Sequence, residues 1–237
     1  MKVLLIIPAY NEEENILRVC NEIKEYGEGI DFVVINDGSK DNTLKILQEN
    51  NLNHINLVHN LGIGGAVQTG YKYAFQNGYD IAIQFDGVGQ HDINYVKEIC
   101  KPIEEKRANL VIGTRYLDKS KSEFQSTFMR RLGSKIISFT IKALCKQRIT
   151  DPTSGFRAAD KNIIEEFAKD YPKDYPEPES TVCMIKKGYK VEEVPVNMKE
   201  RIAGKSFVSM WTSIDYMIKV VLAIIIDSTG TNGKWKN

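Results

Sequence analysis

Residues 81–92 read IAIQFDGVGQHD. Ile81–Phe85 is a short, nearly continuous apolar run, the signature of a strand covered on both faces. Asp86-Gly87-Val88-Gly89-Gln90-His91 then breaks it with an acid, two glycines and an amide. A carboxylate at a strand end, with an amide four residues on, supplies oxygen donors for a hard divalent cation carrying a diphosphate. Asp86 and Gln90 are such donors, whereas Val88 offers none. Aspartate and glycine are also ordinary turn formers, so the stretch alone does not separate a metal motif from a turn.

The same pattern recurs on both sides. Upstream, Val3–Ile7, Asp31–Ile35 and Ile55–Val58 read as strands, and Leu110–Gly113 follows downstream. Between them, Asn15 to Tyr26, Asp41 to Asn50, Gly65–Asn77 and Asn94–Lys106 carry helical spacing, with Asp41 or Asn42 capping the second. Strands alternating with helices predict an α/β fold with a doubly wound, mostly parallel sheet. Ligands of such sheets bind outside the carboxyl ends of the strands. Each strand here ends in a polar cluster: Pro8-Ala9-Tyr10-Asn11-Glu12, Asn36-Asp37-Gly38-Ser39, Asn60-Leu61-Gly62, Asp86 to His91, and Gly113-Thr114-Arg115.

The second half is less regular. Phe128–Leu144 reads as an amphipathic helix opening with Arg130-Arg131, and Asp151 to Arg157 as a polar loop. Tyr171 to Glu179, broken by Pro172, Pro176 and Pro178, reads as a loop, and Tyr189–Val196 as a strand. Met210–Ile226 is apolar and helical but carries Asp215 and Lys219, and it falls short of the ~20 apolar residues a membrane span needs. It reads as an in-plane amphipathic helix, as a docking face for a membrane partner or second protomer, or as a buried core helix.

The whole chain bounds these readings. Its 237 residues suit one sizeable domain with a small extension. A net charge of +1 gives no global field for nucleic acid. The four cysteines, Cys20, Cys100, Cys145 and Cys183, have no CxxC or Cys/His spacing, so reduced thiols in a cytosolic protein are expected. The apolar run after Met1-Lys2 is too short for a secretory leader and reads as a buried strand. Gly62-Ile63-Gly64-Gly65 could bring backbone N–H groups to a phosphate, but it is neither a GxGxxG nor a GKS/T motif.

Single residues carry chemistry and a plainer reading side by side. Asp37 could accept an N–H from a nucleobase or form an Asx-turn. Glu12 could serve a ligand or supply first-turn acidity to a helix. Arg115, Arg130, Arg131, Arg157, Arg201 and Lys205 offer cations for phosphate, or solvated surface charge. Asp151 could be a general base, an orienter of an acceptor, or a turn former before Pro152.

Taken in order, seven strings resemble the family 2 glycosyltransferases, and within them the dolichyl-phosphate mannose synthase-like branch of polyprenyl-phosphate glycosyltransferases. They are IIPAYNEEENI (6–16), VINDGSKDNT (34–43), NLGIGGAVQTGY (60–71), QFDGVGQHD (84–92), IGTRY (112–116), DPTSGFRA (151–158) and VPVNMKERIAGKS (194–206). The resemblance implies a GT-A fold over 1–206, followed by a docking helix and polar tail over 207–237. It implies inverting transfer from a UDP- or GDP-sugar with Mg2+ or Mn2+, to a polyprenyl phosphate at the cytosolic face of the cell membrane.

By the same resemblance, Pro8, Tyr10, Glu12, Asp37 and Gly64 serve the nucleotide-sugar, and Asp86 and Gln90 the metal and diphosphate. Arg115 and Arg131 contact phosphates, while Asp151 and Arg157 sit near the acceptor and donor. Arg201, Lys205 and Ser206 belong to a loop over the donor. The family pattern has Asp at position 88, so Val88 puts metal affinity and turnover in question. Two alternatives stay open: transfer to a glycan or glycolipid hydroxyl in cell-surface polysaccharide assembly, with Asp151, Glu177 or Glu179 as base, and a catalytically silent nucleotide-sugar-binding protein.

Overall fold

A computed structural model describes residues 1–117, 128–199 and 210–228. The first strands and helices are β1 (Val3–Ala9), α1 (Ile16–Tyr26), β2 (Asp31–Asn36), α2 (Thr43–Glu49), β3 (His54–Asn56) and α3 (Gly62–Gln76). β4 (Ile81–Gln84), a 3-10 turn at Ile93–Tyr95, α4 (Val96–Glu104), β5 (Leu110–Thr114) and α5 (Phe128–Cys145) follow. The chain then forms β6 (Arg157–Asp160), α6 (Lys161–Lys169), α7 (Pro176–Lys186), β7 (Val191–Pro195) and α8 (Met210–Ser228).

The sheet runs β3-β2-β1-β4-β6-β5-β7. β1, β2, β3 and β4 pair in parallel, as do β5 and β7. β6 lies antiparallel between β4 and β5. Strand alternation divides the core between the two faces. Leu4 and Ile6 join Val67, Tyr71, Ile141, Phe167, Val182 and Ile224 on one face. Leu5 and Ile7 join Ile16, Val19, Leu47, Ile99 and Phe156 on the other.

Several sequence expectations need correction. The strand expected at Ile55–Val58 covers His54–Asn56, and Val58 is exposed. The helix expected from Gly65 begins at Gly62. The segment through Glu179, expected as loop because of its prolines, contains the start of α7, with Pro176 in its first turn. Proline is tolerated there because first-turn N–H groups have no intrahelical acceptor. β6 was missed because Arg157-Ala158-Ala159-Asp160 has no apolar run, and it is buried by its two neighbours rather than by its own hydrophobicity. Asn42 stands at the α2 N-cap without a side-chain cap bond, and Asp41 Oδ1 accepts from Thr43 N at 2.9 Å instead.

Candidate active site

β1, β2 and β4 all end at one edge. There the Asp37 N–H donates to Ala9 O at 2.8 Å, joining two strand ends. The turn after β4 closes on its own acid, because Asp86 Oδ1 accepts from Gly89 N at 2.8 Å and Gln90 N at 2.9 Å. Gly89 adopts a φ of 80°, a left-handed conformation that glycine enters without Cβ strain. His91 locks the turn from behind. Its Nδ1 accepts from Asp86 N at 3.0 Å, so Nε2 carries the proton and stands 3.5 Å from Asp86 Oδ2. The imidazole stacks on Phe156 with ring centres 4.7 Å apart. Burial pushes its pKa below the ordinary value, the charge of Asp86 opposes this, and Arg115 adds to it.

A cavity of about 270 Å³ opens over this turn. Pro8, Gln84, Asp86, Gln90, His91, Arg115, Thr153, Ser154 and Met198 are among its walls. Of the expected site residues it gathers Pro8, Asp86, Gln90 and Arg115. A larger, more open groove of about 670 Å³ runs along α1, but Glu13, Glu14, Glu22 and Glu25 line it. Arg18 and Lys199 also line it but both pair with Glu22, so the groove stays net acidic and the smaller cavity, with Arg115, is the better site for a diphosphate.

Arg115 is anchored from the far side. Its Nε donates to Asp151 Oδ2 at 2.7 Å and its Nη2 to Asp151 Oδ1 at 2.7 Å, with Arg115 N adding a third bond at 3.1 Å. Asp151 is wholly buried. Of the readings open to Asp151, a base, an orienter or a turn former, these bonds show a carboxylate engaged with Arg115. Arg157 differs from its expected place on the donor. It is 1% exposed, and its guanidinium donates to Ser154 O, Pro152 O, Glu177 O, Ser180 Oγ and Thr181 Oγ1. It ties the 152–154 loop to the first turns of α7 from inside the core.

Asp37, 4% exposed, accepts from Leu61 N on Oδ1 at 2.7 Å. The Glu12 N–H donates to Thr43 Oγ1 and its Oε2 accepts from Asn15 Nδ2, both at 2.9 Å. Tyr10, the residue after β1, is exposed. Gly64 lies in the first turn of α3. A Cβ there would meet Pro172 O at 2.4 Å and Lys173 Cα at 2.6 Å, so the close approach it allows is to the chain itself. Arg131 is exposed on α5 and does not line the cavity. Arg201, Lys205 and Ser206 lie outside the described residues. Thr153, Met198 and Gln84 line the cavity without having been singled out, since small polar and apolar residues carry no chemical signal in sequence.

Among the described residues, no three His, Cys, Asp or Glu side chains cluster as a metal cage. The turn offers a partial set, Asp86 Oδ2 and the Gln90 side-chain oxygen. That suits an ion such as Mg2+, which binds through one or two carboxylates and completes its shell with phosphates and water.

The profile described as Glycosyl transferase family 2 matches residues 4–168. The chain is 34% identical over 214 residues to the UDP-N-acetylglucosamine–dolichyl-phosphate N-acetylglucosaminyltransferase of Methanococcus voltae, covering 82% of this chain and 84% of that protein. It is 27% identical to the polyprenol monophosphomannose synthase of Mycolicibacterium smegmatis, over 92% of this chain and 85% of that one. The fold also matches glucosyl-3-phosphoglycerate synthase of Mycobacterium tuberculosis solved with Mn2+, uridine diphosphate and glucosyl-3-phosphoglycerate. That match has a TM-score of 0.67 and 16% identity, over 97% of this chain and 80% of that one. With a GT-A-like sheet, its polar strand ends and this family match over most of its length, the chain belongs to glycosyl transferase family 2 and is a glycosyltransferase.

Proposed function

We propose that the protein transfers a sugar, with inversion, from a UDP- or GDP-sugar to a polyprenyl phosphate at the cytosolic face of the cell membrane. The observation that carries this reading is the chemistry of the cavity wall. It presents the Arg115 guanidinium and a single carboxylate, Asp86, whose Oδ1 already holds two turn amides. A hydroxyl acceptor needs a base to take its proton, whereas a phosphate acceptor arrives as an anion and needs a cation to hold it. Asp151, the obvious base, is spent on Arg115. The names of the two relatives, each a transferase for a polyprenol or dolichyl phosphate, point the same way.

In this reading Asp37 and the face of Tyr10 hold the base, with Pro8 and Glu12 beside them. Asp86 and Gln90 hold Mg2+ or Mn2+, which offsets charge on the departing nucleoside diphosphate. Arg115 orients a phosphate against the sugar carbon.

No helix among the described residues is long and apolar enough to cross a membrane. On α5 and α8, Leu132, Ile136, Phe139, Ile218 and Leu222 are exposed, while Ile137, Ile141, Val220 and Ile224 are buried. Lys135 and Lys142 are exposed on α5. Exposed apolar side chains next to lysines suit peripheral contact with anionic lipid.

The test is a panel of UDP- and GDP-sugars, measuring nucleotide release with and without polyprenyl phosphate and with Mg2+, Mn2+ or EDTA. Release that rises with polyprenyl phosphate is the expected result. Release indifferent to polyprenyl phosphate but stimulated by a glycan overturns the acceptor. Flotation with anionic liposomes tests the membrane face, and a Phe139→Asp chain is expected to float less.

A further inference from the structure

Behind Arg115 stands a second acid, half-buried, that the site chemistry does not use. Glu193 lies on β7 in register with Ile112 of β5. Its carboxylate accepts from Thr150 N at 2.9 Å on Oε1 and 2.8 Å on Oε2. Thr150 Oγ1 and Asp151 N each donate to Oε1 at 2.9 Å. Thr150 Oγ1 also meets Thr114 Oγ1 at 2.9 Å, on the strand that leads into Arg115. One carboxylate thus fixes both backbone amides of the Thr150-Asp151 dipeptide, whose second side chain forks onto the guanidinium.

We propose that Glu193 is a positioning residue for Arg115, setting the guanidinium against the cavity through Thr150 and Asp151. The proposal rests on the reading that Arg115 meets an anionic group of a substrate. A second carboxylate beside the buried Asp151 carries a desolvation and repulsion cost that a purely structural brace would avoid. What it supplies is acceptors for three donors at one point, which no amide or hydroxyl can match. Arg115 sits at the end of that chain of bonds, so a slack Thr150–Asp151 segment lets the fork rotate away from the substrate. Small misplacements of a charged clamp weigh heavily on turnover.

The experiment is a double-mutant cycle in the full chain with Arg115→Lys, Glu193→Gln and the pair. Glu192→Gln, a surface acid that pairs with Arg107, is the control. Glutamine keeps the size of Glu193 but places an amide donor against the Thr150 N–H. Whichever KM rises in Arg115→Lys, that of lipid phosphate or of donor, is expected to rise about tenfold in Glu193→Gln, with the other KM within about twofold. The double variant is expected to lose no more than Arg115→Lys alone, because the relay ends at the residue already changed.

Multiplying losses, or equal damage to both KM values, overturns the relay and leaves Glu193 a brace. If Glu193→Gln does not fold, Glu193→Asp, one methylene short of its donors, takes its place in the cycle. If the wild-type chain transfers no sugar to polyprenyl phosphate, the proposed acceptor fails on its own. The cycle is then read on calorimetric binding of inorganic pyrophosphate, where the same coupling supports the relay and additivity refutes it.

Discussion

Arg115 and Asp151 meet fork to fork, Nε on Oδ2 and Nη2 on Oδ1, each at 2.7 Å. Asp151 is shielded from water, and the Arg115 side chain is 13% exposed. Burial works to lower the Arg115 pKa, but the hydrogen bond and charge of Asp151 outweigh it and hold the guanidinium above its ordinary value. Removing one partner of such a pair strands the other, at a cost of about 3–5 kcal/mol. Asp151→Asn and Arg115→Ala are each expected to lose stability on that scale in urea unfolding. An Asp151→Asn chain with wild-type stability and no activity would instead mark Asp151 as the base.

Val88 leaves the turn after β4 with one acid, Asp86. The position is held through its backbone, since Val88 O accepts from Arg18 Nη2 at 3.2 Å, so a new side chain need not disturb the turn. Val88→Asp adds a charged oxygen donor, and its affinity for Mn2+ in the presence of a nucleoside diphosphate is expected to rise on the order of tenfold. Paramagnetic titration of Mn2+ measures this directly, and equal affinities in the two chains would refute it.

Gly64 packs α3 against the backbone at Pro172 and Lys173. On an open helix face Gly→Ala would stabilise by about 1 kcal/mol through helix propensity. Here the added Cβ would stand 2.4 Å from Pro172 O, so the loop must move. Gly64→Ala is expected to destabilise by about 1–3 kcal/mol, the range for overpacking, as a lower melting temperature. An unchanged or higher melting temperature counts against the packing described.

Glu193 also gives the protein a pH signature. Burial raises its pKa, its bonds from Thr150 and Asp151 lower it, and the charge of Asp151 raises it again, for a net increase. A carboxyl whose folded pKa lies above its unfolded one binds its proton more tightly when folded. Its stabilising contribution is therefore complete below the unfolded value and lost as pH rises through the folded one. Glu193→Gln has no such proton. Between acid and neutral pH, wild-type unfolding free energy is expected to fall relative to that of Glu193→Gln. Parallel pH profiles for the two chains would contradict this.

Much of the architecture was legible because burial on both faces writes itself into composition. β1, β2, β4 and β5 are continuous apolar runs, and polar clusters follow at their ends. β6 and the start of α7 were not legible. One owes its burial to neighbouring strands, and the other hides behind prolines that only a helix start accommodates.

The sequence by itself determined the alternation of strands and helices, the edge at which polar clusters gather, and the one-acid turn at Asp86. Local rules suffice there, because strand burial, turn chemistry and motif order are set within a few residues. Tertiary structure alone decided what the charged residues do. Arg115 and Asp151 are 36 positions apart, and Glu193 reaches Asp151 across another 42. Arg157 reads in sequence like any phosphate-binding arginine, yet the fold buries it under five acceptors. A charge declares its type in sequence, but its role depends on the partners that compensate it, and those arrive only when distant segments close on each other.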